Sequence, residues 1–251
     1  MNSVLLRKLR VAITPRNWLL RARLANGVTV AGYNRPGWGG RGVYIYRDKL
    51  EPELAILDRF LKPGFVFVDV GANVGVFTLK AAKEVGESGL VIAIEPFIES
   101  AVQLSRNITN NRLFNCRVRN LCLSRTTSHG QLYLNNMQPN SFSLTKDSHG
   151  TMSLSVLCVS LTDLCKWEAI DRLDYLKIDA EGAEDMILEG GVEIIERFRP
   201  IIQVEIIKTS SSLPSGYRRF SSSVGINNLL IPSERDEAIE AAMAAGWTDI
   251  A

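Results

Sequence analysis

The stretch from Phe65 to Glu95 constrains this chain more than any other. Residues 65–70 form a short, almost unbroken apolar run, as a strand buried on both faces does. The run ends in Val68-Asp69-Val70-Gly71-Ala72-Asn73-Val74-Gly75, after which Phe77, Leu79 and Ala82 recur at helical spacing. A second apolar run, 90–94, closes on Glu95-Pro96. Strand, glycine loop, helix and strand in that order make one repeat of an α/β sheet. Glycines at the turn let the backbone pass close to a ligand, and the unpaired N–H groups at the helix start are offered to a polar or anionic group. Asn73 stands where many such loops have glycine, and Asn tolerates a left-handed backbone best among the other residues. Glu95 puts a carboxylate at the neighbouring strand tip, where it can accept both hydroxyl protons of a ribose.

Further apolar runs at 116–123, 173–178 and 200–207 continue the pattern, with helical segments expected at 75–85, 100–111 and 183–198. The expected fold is α/β: a Rossmann-like, doubly wound, mostly parallel sheet with an N-terminal helix/strand extension. At 251 residues and 46% hydrophobic, one core suffices. The expected organisation is an accessory region at 1–62, a core at 63–232 and a C-terminal helix at 233–251. In the accessory region, a helix precedes short strands around 27–33 and 43–46, and Pro52 opens another helix that delivers the chain to the core. Residues 131–159 break the alternation as a polar insertion with turns at Pro139-Asn140 and His149-Gly150, flanked by stretches suited to antiparallel pairing. An insertion there is a candidate substrate lid.

A net charge of +2 gives no electrostatic case for a nucleic-acid partner. Cys116, Cys122, Cys158 and Cys165 form no C-x-x-C pair and have no His at ligand spacing, so they read as reduced, buried thiols of a cytoplasmic protein, with no metal site among them. The apolar run Val4 to Leu6 is too short for a signal peptide or a membrane span. Residues 4–24 interleave apolar residues, Trp18 included, with arginines and a lysine. A helix packed on the domain is the preferred reading, and a basic amphipathic helix lying on an anionic membrane surface is the alternative.

The loop does not match G-x-G-x-x-G, and Asp69 inside the strand would repel a pyrophosphate but suits a sulfonium and an ammonium. Both points favour S-adenosylmethionine over a dinucleotide, with Asp69, Gly71, Ala72, Asn73, Val74, Gly75, Glu95 and Pro96 as the binding set.

Over residues 51–205 the sequence resembles the FkbM-type methyltransferases. The carriers are the 67–75 loop with Thr78, Val91-Ile92-Ala93-Ile94-Glu95-Pro96, Asn107 and Asn111, Leu176-Lys177-Ile178-Asp179-Ala180-Glu181-Gly182-Ala183-Glu184, and Pro200-Ile201-Ile202-Gln203-Val204-Glu205-Ile206. The resemblance implies methyl transfer from S-adenosylmethionine to oxygen, commonly a hydroxyl of a sugar, glycolipid or polyketide. One departure follows Glu205. Only residues 208–215 precede Gly216-Tyr217, so a helix usual in the family looks shortened or lost. Leu229-Leu230-Ile231-Pro232 resembles the closing strand, and Ser233 reads as the cap of an alanine-rich helix over 234–245.

Methyl transfer to a hydroxyl is an in-line displacement that needs alignment and a place for the proton. Asp179, at a strand's carboxyl end, is the first candidate for base or acceptor-orienting group, followed by Glu181 and Glu205. Glu181 has an alternative role as a carboxylate at a helix N-terminus. The three acids could hold a divalent cation, but no metal ligand is assigned. Lys177 either neutralises the cluster or points into the site. His129 and His149 read as solvated loop residues rather than bases. Trp38, Tyr44 and Tyr46 read as core aromatics rather than a sugar platform. The expected activity is an O-methyltransferase acting on a sugar, glycolipid or small-molecule hydroxyl. The alternatives are an RNA methyltransferase, disfavoured by the absence of an N-P-P-Y-like tetrapeptide, and a non-catalytic S-adenosylmethionine-binding module.

Overall fold

A computed structural model describes residues 3–36, 39–135, 142–143, 150–205, 214–223 and 226–250. The N-terminal region opens with helix α1 (Ser3–Ile13), followed by an antiparallel pair, β1 (Leu19–Arg23) and β2 (Thr29–Tyr33), and by α2 (Gly40–Tyr46). A helix through residue 24 does not form. Pro15 disfavours helical backbone at Thr14, and beyond it Leu20, Ala22 and Leu24 are buried while Leu19, Arg21 and Arg23 face out, the period of a strand. Residues 43–46 are helical, not extended. Gly40 sits so tightly on Gly32 of β2 that a β-carbon on Gly40 would lie 2.3 Å from the Gly32 carbonyl carbon, so the start of α2 has no room for a side chain. A 3-10 turn, Pro52–Ile56, with Pro at its start, runs into α3 (Leu57–Phe60) and delivers the chain to the core.

The core follows as β3 (Val66–Val70), α4 (Val76–Val85), β4 (Leu90–Ile94), α5 (Ile98–Asn111) and β5 (Cys116–Arg119). The apolar run at 116–123 divides after β5. Asn120 donates to the Glu95 and Pro96 carbonyls at 2.8 Å, and the chain turns into β6 (Cys122–Ser124) of a second sheet. There, β7 (Ser128–Asn135) pairs antiparallel with β8 (Phe142–Ser143) and with β9 (Gly150–Ser160), the pairing expected across the insertion. The turn proposed at Pro139-Asn140 lies outside the described residues, as do His149, Trp38 and residues 208–213 of the shortened segment, while Gly150 opens β9.

Helix α6 (Leu161–Trp167), capped by the Ser160 hydroxyl accepting from Asp163 N at 3.0 Å, precedes β10 (Tyr175–Ile178). The helix expected over 183–198 is two, α7 (Glu184–Gly190) and α8 (Val192–Phe198), broken at the Gly190-Gly191 pair. Then come β11 (Ile201–Val204), β12 (Tyr217–Ser222) and β13 (Asn228–Pro232). Helix α9 (Asp236–Ala244) is preceded by Arg235 without a side-chain cap, so Ser233 is not its N-cap, and a final strand, β14 (Trp247–Asp249), follows it.

The main sheet runs β14-β12-β13-β11-β10-β3-β4-β5, with β11 through β5 parallel and the other three pairings antiparallel. This is the Rossmann-like α/β fold. Strand order reverses between β3 and β10, the switch point where open α/β sheets bind ligands. Alternate residues serve opposite faces. Val68, Val70, Leu176 and Ile178 pack against Ile187, Leu188, Ile194 and Ile195 of α7 and α8, while Phe67 and Tyr175 join Ala81, Ala82 and Val85 of α4.

Two side chains of α5 tie the N-terminal region to this core. Asn107 accepts from Ala31 N at 3.1 Å and donates to the Ala31 and Val74 carbonyls at 2.8 Å. Asn111, one helical turn on, exchanges 2.7 Å hydrogen bonds with Thr29 N and O. Residues two apart on a strand and four apart on a helix are spaced almost alike, so two amides stand in for a missing neighbour of β2.

Candidate functional site

A cavity of about 590 Å³ opens at the carboxyl ends of β3, β4, β10 and β11. Of the residues predicted from sequence, it is lined by Asp69, Gly71, Ala72, Asn73, Val74, Glu95, Pro96, Asp179, Glu181 and Glu205. Gly75 does not line it. That residue precedes α4 with φ 95°, and a β-carbon there would meet Leu104 at 2.4 Å, so it serves helix packing.

The loop after β3 is fixed by backbone. Gly71 N and Ala72 N both donate to Ile94 O at 3.0 Å, and Gly75 N to Ala72 O at 2.8 Å. Gly71 has φ 75°, and a β-carbon on it would fall 1.8 Å from the Asp179 carbonyl oxygen, so β3 and β10 approach too closely here for any side chain. Asn73 adopts the left-handed conformation expected of it, φ 49°. Its backbone N–H donates to Glu95 Oε2 at 2.8 Å, and Phe97 N donates to Oε1 at 2.8 Å. Each Glu95 oxygen therefore keeps one lone pair for a further donor. Burial pushes the Glu95 carboxyl up to about 7 against the pull of these N–H groups.

On the α4 face, Asp69 of β3 stands in register with Lys177 of β10, and Lys177 with Gln203 of β11, a polar row inside an otherwise apolar sheet. Asp69 is fully buried; Oδ2 accepts from the Thr78 hydroxyl at 2.6 Å, and Oδ1, which has no hydrogen-bond partner, lies 3.7 Å from Lys177 Nζ. Burial raises the Asp69 pKa against the opposing pull of Lys177 and Thr78. Lys177 also lies 3.2 Å from Asp179 Oδ2 and 4.8 Å from the Phe77 ring centroid. Burial alone would lower its pKa, but Asp179, Asp69 and Glu51 outweigh burial and hold the ammonium above its ordinary value. Lys177 thus neutralises the acids and also lines the cavity.

Around Asp179 the acids are close. Glu205, half-buried beyond β11, is pushed up to about 7 by burial and by its acidic neighbours Asp179 and Glu181. Glu181 is exposed, with φ 50°. The helix-start role considered for it falls to Glu184, whose Oε1 accepts from Ala180 N at 3.2 Å and Gly182 N at 3.1 Å. Among the described residues, no three His, Cys, Asp or Glu side chains are grouped to hold a metal ion.

Sequence reasoning missed the cavity's N-terminal wall. Glu51 faces Lys177 and Asp179 there, its carboxyl raised by burial to about 7. Glu53, buried, accepts from Asn227 Nδ2 at 2.9 Å and so joins this wall to the segment before β13. Pro52 between them marks the start of a turn, but nothing local shows that the turn crosses the strand tips. Leu132 brings the base of the insertion to the cavity as well. His129 is exposed, and neither it nor Tyr44 nor Tyr46 lines the cavity. All four cysteines are free.

The methyltransferase FkbM from Methylobacillus flagellatus KT is 16% identical, with 76% of this chain covering 52% of that one at a TM-score of 0.47. A SAM dependent methyltransferase from Aquifex aeolicus is 16% identical, covering 73% and 90% of the two chains, TM-score 0.41. An rRNA methylase from Streptococcus thermophilus is 12% identical, covering 72% and 93%, TM-score 0.43. This chain spans about half the length of the Methylobacillus protein. No curated protein matches at a significant level. The sequence pattern of the methyltransferase FkbM domain matches residues 69–225, which takes in the glycine loop, Glu95, Asp179 and Glu205 and is well over half of the chain. The chain belongs to the FkbM methyltransferase domain family.

Proposed function

We propose that the protein is an S-adenosylmethionine-dependent O-methyltransferase acting on a hydroxyl of a sugar, glycolipid or small-molecule acceptor. The observation that carries this reading is the cavity at the switch point, bounded on one side by the backbone-fixed loop with Glu95 and on the other by Asp179 and Glu205. The residues fit the methyl donor. Glu95 has lone pairs for a ribose diol, and Asn73 Oδ1 and Asp69 Oδ1 are buried without hydrogen-bond partners beside the loop. When bound, S-adenosylmethionine supplies an electrophilic methyl group on a sulfonium.

The chain's own residues would do the rest. Asp179 orients the acceptor hydroxyl, and Lys177 fixes the Asp179 carboxylate from behind at 3.2 Å. Glu205, with its carboxyl near 7, takes the proton, because a base works best when its pKa lies near the working pH. Glu51 and Glu53 form the wall from the N-terminal region and exclude water from that side.

The experiment is a labelled-methyl assay of the purified protein against sugar nucleotides, glycolipids and RNA, with the Asp179→Asn variant alongside. Transfer to a sugar or lipid hydroxyl is expected, with turnover lowered about 100-fold or more in Asp179→Asn and donor affinity within about threefold. Transfer to RNA alone would reject the acceptor class, and full turnover in Asp179→Asn would remove that residue from the role.

A further inference from the structure

Helix α1 carries its apolar stripe on the wrong side for a packed helix. At 100° per residue, Leu5, Leu6, Leu9 and Ile13 fall within one arc of about 100°, and Val4 and Val11 lie on the far side. It is Val4 and Val11 that pack against Leu20 and Ile45, while Leu5, Leu6 and Leu9 are about half exposed and Ile13 is 85% exposed. Trp18, 62% exposed, and Leu19, also exposed, follow within two turns' length of chain. Amphipathic helices of globular proteins turn their apolar stripe inward; this one turns it to solvent.

Charge accompanies the stripe. The first 47 residues hold nine Lys and Arg and no Asp or Glu, leaving 20 basic against 27 acidic residues in the remainder. Arg10 and Lys8 flank the stripe on either side of the helix. Among the described residues, Lys8, Arg10, Arg16, Arg21 and Arg23 form no ion pair with a carboxylate. The balanced net charge of the whole chain therefore conceals a polarised molecule.

We infer that the outward face of α1, with Trp18 just beyond it, forms a docking surface for an anionic lipid bilayer. Leu, Ile and Trp side chains enter the headgroup boundary, and the flanking Lys and Arg meet the anionic headgroups. A nucleic acid would use the basic residues but has no use for four outward Leu and Ile side chains, whereas a bilayer uses both. The inference stands apart from the methyl-transfer reading, since none of these residues lines the cavity.

Vesicle flotation of the full chain tests it. The protein is expected to float with vesicles of equal parts phosphatidylcholine and phosphatidylglycerol, to stay behind with phosphatidylcholine alone, and to be released by about 0.5 M salt. The Leu9→Glu/Ile13→Glu variant changes only exposed positions. It should lose at least about tenfold in bound fraction while its near-UV circular dichroism and thermal midpoint stay unchanged. No flotation of the wild type, or equal flotation of the variant, overturns the proposal. So does sedimentation in which the wild type is a dimer without lipid and the variant a monomer, which would make the stripe a contact between copies. Binding of an RNA oligonucleotide without vesicle binding overturns it equally.

Discussion

At the β3–β4 edge of the cavity the groups are held by backbone: one N–H donor fixes each oxygen of Glu95, Ile94 O gathers the loop, and Asn107 grips Val74 from behind. At the β10–β11 edge the acids hold one another. Asp179 shares Lys177 with Asp69 and neighbours Glu205, and Glu181 is exposed. One edge has a loop held by peptide groups that do not titrate, and only its Glu95 carboxyl is raised to about 7; at the other edge the contacts themselves are between titrating groups. A binding site for an invariant cofactor suits the first kind of construction, and a site that must accept a proton suits the second.

Substitutions should separate the two edges. The largest effect is expected from Gly71→Ala, because the added carbon meets a carbonyl oxygen that belongs to the opposite edge and the φ is left-handed. A loss of about 4 kcal/mol or more in urea unfolding, or failure to fold, is expected. A loss under about 1 kcal/mol would mean that β3 and β10 can part here without cost. Next comes Asn107→Leu, which leaves Ala31 N–H and two carbonyls unpaired inside the protein. About 3 kcal/mol of stability should go, together with donor affinity, while the acidic edge keeps its pH response. The pH profile of turnover addresses the carboxyls raised to about 7, and comparison with Glu205→Gln singles out the acidic edge. Glu205 is raised, so it is protonated below about 7 and turnover should rise with pH through that value and then level. Glu205→Gln should abolish the step. Smallest of all is Glu181→Gln, expected to change turnover by less than about threefold because the side chain is exposed and its field on the site is screened by water and salt. A larger effect would return Glu181 to the acceptor's surroundings.

The β3–β4 edge was legible in the sequence because its physics is local. Buried strand, loop glycines, a left-handed Asn73 and the acid ending the next strand are consecutive, and the structure reproduces each of them. The other edge depends on chain segments far apart. Glu51 reaches it only because the turn at Pro52 crosses the strand tips, and Glu53 is tied there by Asn227, 174 residues further along the chain. Asn107 and Asn111 were marked by family resemblance, but their work, closing the open side of β2, is a contact across 76 and 82 residues of chain. The run at 116–123 looked continuous because apolar periodicity does not tell which sheet a strand joins. Asn120, bonded back to Glu95 and Pro96, decides that.

The direct test of the central claim is a calorimetric titration of S-adenosylmethionine and of NAD into the wild type and Glu95→Gln. The account expects the wild type to bind the methyl donor and not NAD, and Glu95→Gln to bind it at least about tenfold more weakly. NAD binding without the methyl donor, or equal donor affinity in the two proteins, would contradict it.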